Sequence, residues 1–146
     1  MRFLRAREIV DTVFDVDYDR LWARGCRALL FDLDNTLGAR GLSKLDADVG
    51  DLLRGLTARG FSVGILTNRK RTASDGFARA LAEEFAVLDV ARKPSRRGYD
   101  ELLRRLGRSA AAAAMIGDRR LTDILGANRS GIYSVRVRGV RRSTAR

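Results

Sequence analysis

The stretch Ala28-Leu29-Leu30-Phe31-Asp32-Leu33-Asp34-Asn35-Thr36 ends an apolar run on two carboxylates, Asp32 and Asp34, only two residues apart. Like charges that close destabilise one another, so a partner must offset them or a chemistry must use them. A cation does both. With Asp118, and with Asp123 beyond it, these carboxylates would form a hard, all-oxygen site suited to Mg2+, which binds through one or two carboxylates and a phosphate while keeping some waters. The chain has no histidine and a single cysteine, Cys26, which argues against a soft zinc site. With a phosphate present, Lys93 and the Thr67 hydroxyl could hold its oxygens. One carboxylate could then attack as nucleophile and form an aspartyl-phosphate, while the second protonates the leaving oxygen and later activates water.

Residues this far apart need a scaffold that brings them together. Short apolar runs alternate with segments of helical period. Ala28–Leu33, Phe61–Asn68, Ala86–Val90, the run ending at Asp118 and Gly131–Val137 read as strands. Between them, Val49, Leu52, Leu53 and Leu56 fall at helical spacing closed by Arg59-Gly60. Phe77, Leu81 and Phe85 mark a second helix, Tyr99, Leu102, Leu103 and Leu106 a third, and Leu121, Ile124 and Leu125 a fourth. The Leu, Tyr and Phe positions on these helices are expected in the core. The alanines at 110–114 alone would favour helix, yet their run ends like a strand. This alternation predicts an α/β fold, a parallel sheet covered by helices on both faces. Such sheets bind ligands at the carboxyl ends of their strands, and every strand but the last delivers a chemically capable residue to that edge.

Each residue alone has a plainer use. Asp32 and Asp34 could cap a turn or helix, Thr67 and Asn68 could cap the next helix, and Lys93 before Pro94 could be a solvated loop lysine. Asp118 and Asp123 could pair with Arg119 or Arg120 at the surface, for about 0–1 kcal/mol each. Their convergence at neighbouring strand ends favours the shared site.

The chain's 146 residues suit one domain with a single core. It is expected to span 1–146, with residues 1–25 a basic, helical lead-in and 138–146 a flexible basic tail. A net charge of +11 favours anionic partners: phosphorylated metabolites, nucleic acid or an acidic lipid surface. An arginine-rich solvated surface would give the same number. Arg2, Arg5 and Arg7 with Phe3, Leu4 and Ile9 could form a short interfacial segment, and a solvated edge strand fits them equally. One cysteine precludes an internal disulfide, and Cys26 is expected to be a buried packing residue. No apolar stretch reaches the ~18 residues of a transmembrane helix, and charges interrupt the N-terminus too early for a signal-peptide core. A cytoplasmic location is expected, with peripheral contact at an anionic membrane left open.

Taken in order, Phe31-Asp32-Leu33-Asp34-Asn35-Thr36-Leu37, Leu66-Thr67-Asn68, Arg92-Lys93-Pro94 and Gly117-Asp118-Arg119-Arg120-Leu121-Thr122-Asp123 resemble the four motifs of the haloacid dehalogenase superfamily of phosphohydrolases, over about residues 16–137. The resemblance implies a three-layer, Rossmann-like fold with five strands in the order 5-4-1-2-3. It implies Asp32 as nucleophile and Mg2+ ligand, and Asp34 as general acid and base with its backbone carbonyl on the metal. Thr67 and Asn68 would bind the phosphoryl group, Lys93 would stabilise nucleophile and transferring charge, and Asp118 and Asp123 would complete the metal shell. Only residues 38–61 and 69–92 lie where members of the superfamily insert a cap domain, and one helix consumes each gap. The chain is therefore similar to the capless subclass III phosphatases, whose open sites take large substrates or close by oligomerising. Within them it most resembles the YqeG family, related to mitochondrial phosphatidylglycerophosphate phosphatases, through the segments 18–37, 91–107 and 116–137. That implies a phosphorylated small molecule or a phospholipid headgroup as substrate. A soluble nucleotide or sugar phosphate, a nucleic-acid end, or non-catalytic binding of nucleic acid on the basic surface remain as alternatives.

Overall fold

The apolar runs enter one sheet in the computed structural model, which describes residues 2–69, 76–89 and 91–140. Its strands are β1 (Glu8–Val10), β2 (Ala28–Phe31), β3 (Ser62–Leu66), β4 (Ala86–Leu88), β5 (Ala113–Gly117) and β6 (Tyr133–Val137). All pairs are parallel, in the order β1-β6-β5-β2-β3-β4. Every residue of β2 and β5 is buried, because helices cover both faces of these central strands. Alternate side chains divide the core in two. Leu29, Phe31, Val63, Ile65 and Ile116 face α1 (Tyr18–Ala23), α2 (Ala47–Ala58) and α3 (Gly76–Glu84). Ala28, Leu30 and Met115 face α4 (Arg96–Leu106) and α5 (Leu125–Arg129).

Five of the strands keep the expected order, but the sheet has six. The segment 1–25, expected to be helical, contains β1, whose Glu8, Ile9 and Val10 pair with Val135, Arg136 and Val137 of β6. Ile9 and Val10 favour a strand, and an edge strand is one of the two readings of this segment, but three residues are too few to mark one by period. The open edge of β6 supplies the partner, and the pairing rather than propensity sets the state. The Arg7 N–H continues the ladder by donating to the Ser134 carbonyl at 3.0 Å.

The alanine run is divided by its surroundings. Ala110–Ala112 form one 3-10 turn, and from Ala113 the chain is a strand inserted between β2 and β6. Leu121 departs from expectation more strongly. It was assigned to a core helix face with Ile124, yet it is 67% exposed while Ile124 is fully buried. The cause is a single π turn, Arg120–Ile124, ahead of α5. Its wider winding breaks the 3.6-residue period on which the helical reading rests, and Leu121 turns outward. Cys26 is buried as expected. Its thiol donates to the Ala28 carbonyl, and burial pushes its pKa up to about 11, so it is a packing group.

Between β2 and β3 the one α-helix is α2, and among the described residues between β3 and β4 it is α3. No helix among the described residues is long and apolar enough to cross a membrane. Most of the expected basic tail, residues 141–146, lies outside the described residues.

Candidate active site

Three adjacent strands end within one residue of each other. Phe31 is level with Ile65 on one side and Ile116 on the other, and β3 and β5 run one residue further than β2. Asp32, Thr67 and Asp118 therefore leave the same edge of the sheet, with Asp32 one residue lower. The Asp32 N–H still donates to the Ile116 carbonyl at 3.0 Å, which fixes the first residue beyond β2 to its neighbour. Asp123 enters from below on the π turn. Its backbone carbonyl accepts from the buried Tyr99 hydroxyl at 2.9 Å, and that hydroxyl also reaches the Thr122 carbonyl at 3.1 Å. Carboxylate oxygens of Asp32, Asp118 and Asp123 all lie within 4.8 Å of one another.

Lys93 is the counter-charge. Its Nζ donates to Asp32 Oδ1 at 2.7 Å, to Asp123 Oδ1 at 2.6 Å and to the Leu66 carbonyl at 2.9 Å, which uses all three ammonium protons. Burial alone would lower the lysine's pKa. The Asp123 and Asp32 charges overcome that and hold it above its usual value. The converse holds for Asp123, where burial outweighs the attraction of Lys93 and pushes the carboxyl up to about 7. Asp118 is also raised, chiefly by burial and further by Asp32, against a hydrogen bond from Asn35 that lowers it. Three carboxylates against one ammonium leave a surplus of two negative charges, the complement of a divalent cation.

The donor pattern separates the carboxylates further. Asp123 has both oxygens occupied, one by Lys93 and one by the Arg119 N–H at 3.1 Å. Asp118 takes Asn35 Nδ2 on one oxygen at 2.9 Å and leaves the other, Oδ1, buried with no hydrogen-bond partner. An orphaned carboxylate oxygen in an all-oxygen cluster fits a hard cation. By the same accounting, Asp32 and Asp118 are the better ligands and Asp123 supports them.

Asp34 stands apart. Its Oδ1 accepts from Arg69 Nη2 at 2.7 Å and from the Gly41 N–H at 2.7 Å, and Arg69 is held in turn by the Leu42 carbonyl at 2.9 Å. The side chain is thus brought to the cleft but not into the carboxylate cluster. Thr67 is buried, and its hydroxyl accepts from the Arg69 N–H at 3.0 Å. Asn68 clamps the backbone of Lys93, accepting from its N–H at 2.7 Å and donating to its carbonyl at 3.2 Å. Its side chain therefore fixes the loop that carries Lys93. Above the group opens a cleft of about 430 Å3, also lined by Arg40, Arg69 and Arg119.

Three contributors escaped the sequence reading. Asn35 adopts φ +60, a turn conformation that asparagine tolerates well, so an asparagine directly after the carboxylate pair was the available signal. Arg69 lies 35 residues from Asp34, and nothing in sequence pairs them. Tyr99 was read as core, which it is, but its hydroxyl also secures the turn that delivers Asp123. Gly117 has a further reason to be glycine: a Cβ there would strike the Asp123 carboxylate. Because Lys93 and the Arg119 amide pin that carboxylate, Gly117→Ala is expected to destabilise the fold by about 1–3 kcal/mol. Urea unfolding measures it, and an unchanged midpoint would mean that Asp123 is free to move.

Comparison with known proteins gives the family of the chain. Residues 38–131 match the family profile of the haloacid dehalogenase-like hydrolases, beginning just beyond the Asp32–Asp34 pair. The probable phosphatase YqeG of Bacillus subtilis is 27% identical over 136 residues, which cover 93% of this chain and 78% of that protein. NagD of Escherichia coli K-12 shares the fold with a TM-score of 0.63 at 12% identity, over 80% of this chain and 90% of the other. So does the cobalt-bound deoxy-D-mannose-octulosonate 8-phosphate phosphatase of Haemophilus influenzae, with a TM-score of 0.54 at 16% identity over 65% and 60%. The chain belongs to the haloacid dehalogenase-like hydrolases.

Proposed function

We propose that this chain is a phosphatase that hydrolyses phosphomonoesters through an aspartyl-phosphate on Asp32, with Mg2+ as its cofactor. The observation that carries the reading is the gathering of Asp32, Asp118 and Asp123 around one buried ammonium beneath an open cleft. Asp32 and Asp118 would hold the ion. When bound, it would neutralise the phosphate and the nucleophile and so let two anions approach. The cobalt-bound form of the Haemophilus phosphatase supports a divalent ion in this fold. Lys93 aims Asp32 through a charge-assisted hydrogen bond and is itself anchored by a second one to Asp123. The Thr67 hydroxyl and the Asn68 segment would take phosphoryl oxygens at the end of β3. Asp34 would donate a proton to the leaving oxygen and then accept one from water, after exchanging Arg69 for the substrate. Arg40, Arg69 and Arg119 make the cleft mouth suited to an anionic substrate.

The family resemblance points further, to phosphatidylglycerophosphate as the ester. Phosphate release should be measured from that lipid in micelles and from soluble nucleotide and sugar phosphates, each with Mg2+ and with chelator. Release confined to soluble esters would remove the lipid, and release unaffected by chelator would remove the metal.

Titration gives a second handle on the ion. A cation must displace protons from carboxyls whose pKa values are raised, Asp123 to about 7 and Asp118 upward. Mg2+ affinity, measured by calorimetry, should therefore rise with pH through neutrality, with protons released on binding. Affinity that does not change between about pH 6 and 8 would contradict the assignment.

A further inference from the structure

The largest groove among those described, about 970 Å3, is not the catalytic cleft. It lies over the β1–β6 edge of the sheet, where Ile9 and Arg136 are register partners, beside the N-terminal turn Arg2–Leu4 and the start of the π turn. Arg5, Arg7, Arg120 and Arg136 line it, and no acidic residue does. Of the three large apolar side chains exposed among the described residues, Phe3 and Ile9 line it, and the third, Leu121, follows the lining residue Arg120 in the chain. This wall is built. Asn128 Nδ2 donates to the Phe3 and Arg5 carbonyls at 2.8 and 2.9 Å, and its Oδ1 accepts from Ser134 Oγ at 2.7 Å, so α5 and β6 hold the N-terminal segment in place. The groove also adjoins the cleft. Arg119 lines one and Arg120 the other, and Arg136 Nε donates to the Asp118 carbonyl at 3.2 Å.

We infer that this groove and its apolar rim dock on the anionic surface of a lipid bilayer. Four arginines without an acid among them require negative charge opposite, which weighs against a second copy of the same basic face. Exposed apolar side chains among the arginines suit the boundary between headgroups and acyl chains, where arginine pairs with phosphate and Phe3 and Ile9 enter the interface. Nucleic acid would share the charge but would call for aromatic faces on which bases stack, and Phe3 is the one aromatic residue in the lining. Docking in this orientation sets the mouth of the neighbouring cleft against the lipid headgroups. That last consequence rests on the phosphatase reading above; the docking does not.

The test is co-sedimentation of the full chain with vesicles of phosphatidylcholine alone and of phosphatidylcholine with one third phosphatidylglycerol. Binding is expected only to the anionic vesicles. Arg5→Glu should weaken it about tenfold or more, since reversal removes one attraction and adds a repulsion. Phe3→Ser with Leu121→Ser should remove the part of the binding that survives high salt. Hydrolysis of a soluble aryl phosphate, followed in the same variants, should stay at the wild-type rate. Vesicle binding that is absent, or equal in all variants, overturns the proposal. So does tighter binding to single-stranded RNA that the same substitutions abolish. If vesicles bind as expected but no ester is cleaved, docking stands and the reading of the cleft fails.

Discussion

Replacing Asp32 with asparagine is expected to lower phosphate release on the order of 10³-fold or more while leaving the fold intact. The amide keeps an oxygen that can still accept from Lys93 Nζ, now at 2.7 Å from Asp32 Oδ1, so the buried lysine retains its partners. What disappears is the anionic oxygen that attacks phosphorus and, with it, one charge of the cation site. Far-ultraviolet circular dichroism and the melting temperature should stay close to the wild type. Steady-state release of phosphate should collapse, and acid-stable labelling of the protein by a phosphorylated substrate should vanish with it. A variant that turns over within tenfold of the wild type would exclude a covalent intermediate on this residue. A variant that loses activity only because it unfolds would be recognised from its melting curve.

That capable side chains gather at this edge of the sheet was legible from the ends of the apolar runs, while the role of Asp32 as nucleophile came from the family resemblance. The fully buried run of β2 ends at Phe31, and β3 and β5 end one residue beyond that level, so the ends of three apolar runs bring Asp32, Thr67 and Asp118 to one edge. Legibility stopped where the structure depends on contacts between distant segments. β1 is a strand because β6 has an open edge, and its three residues, though Ile9 and Val10 favour a strand, are too few to decide between that and an interfacial segment. The π turn at Arg120–Ile124 leaves no periodic mark, so Leu121 was assigned inward when it points out, and a docking rim was read as core. Asn68 shows the same limit at the level of one side chain. Its type and place fit a phosphate contact, but its amide is spent on the backbone of Lys93. A residue's chemistry can be read from its identity, while the partner it serves depends on which loop folds over it.

The second large effect concerns stability rather than rate. Lys93→Met is expected to destabilise the chelator-treated protein by about 3–5 kcal/mol, because it leaves buried carboxylates without their ammonium. Part of that loss should return when Asp123→Asn is added, since the more deeply buried of the two carboxylates then carries no charge while Asp32 still lacks its ammonium. The pH dependence fixes the cause. Asp123 already has a folded pKa of about 7 against an ordinary value of 3.8, so the folded protein binds more protons than the unfolded chain between those limits. Its ionisation therefore opposes folding as pH rises through that window. Without Lys93, which lowers this pKa, the window must extend upward, and the variant should regain stability on acidification from about pH 8 to about pH 5. Lys93's own pKa is raised, so its contribution is present throughout that range and fades only in strong alkali. Urea unfolding at the two pH values, in single and double variants, measures each part. A single variant as stable as the wild type near pH 8 would mean that the carboxylates are neutral without their lysine. The cluster would then carry no surplus charge to offer a divalent ion.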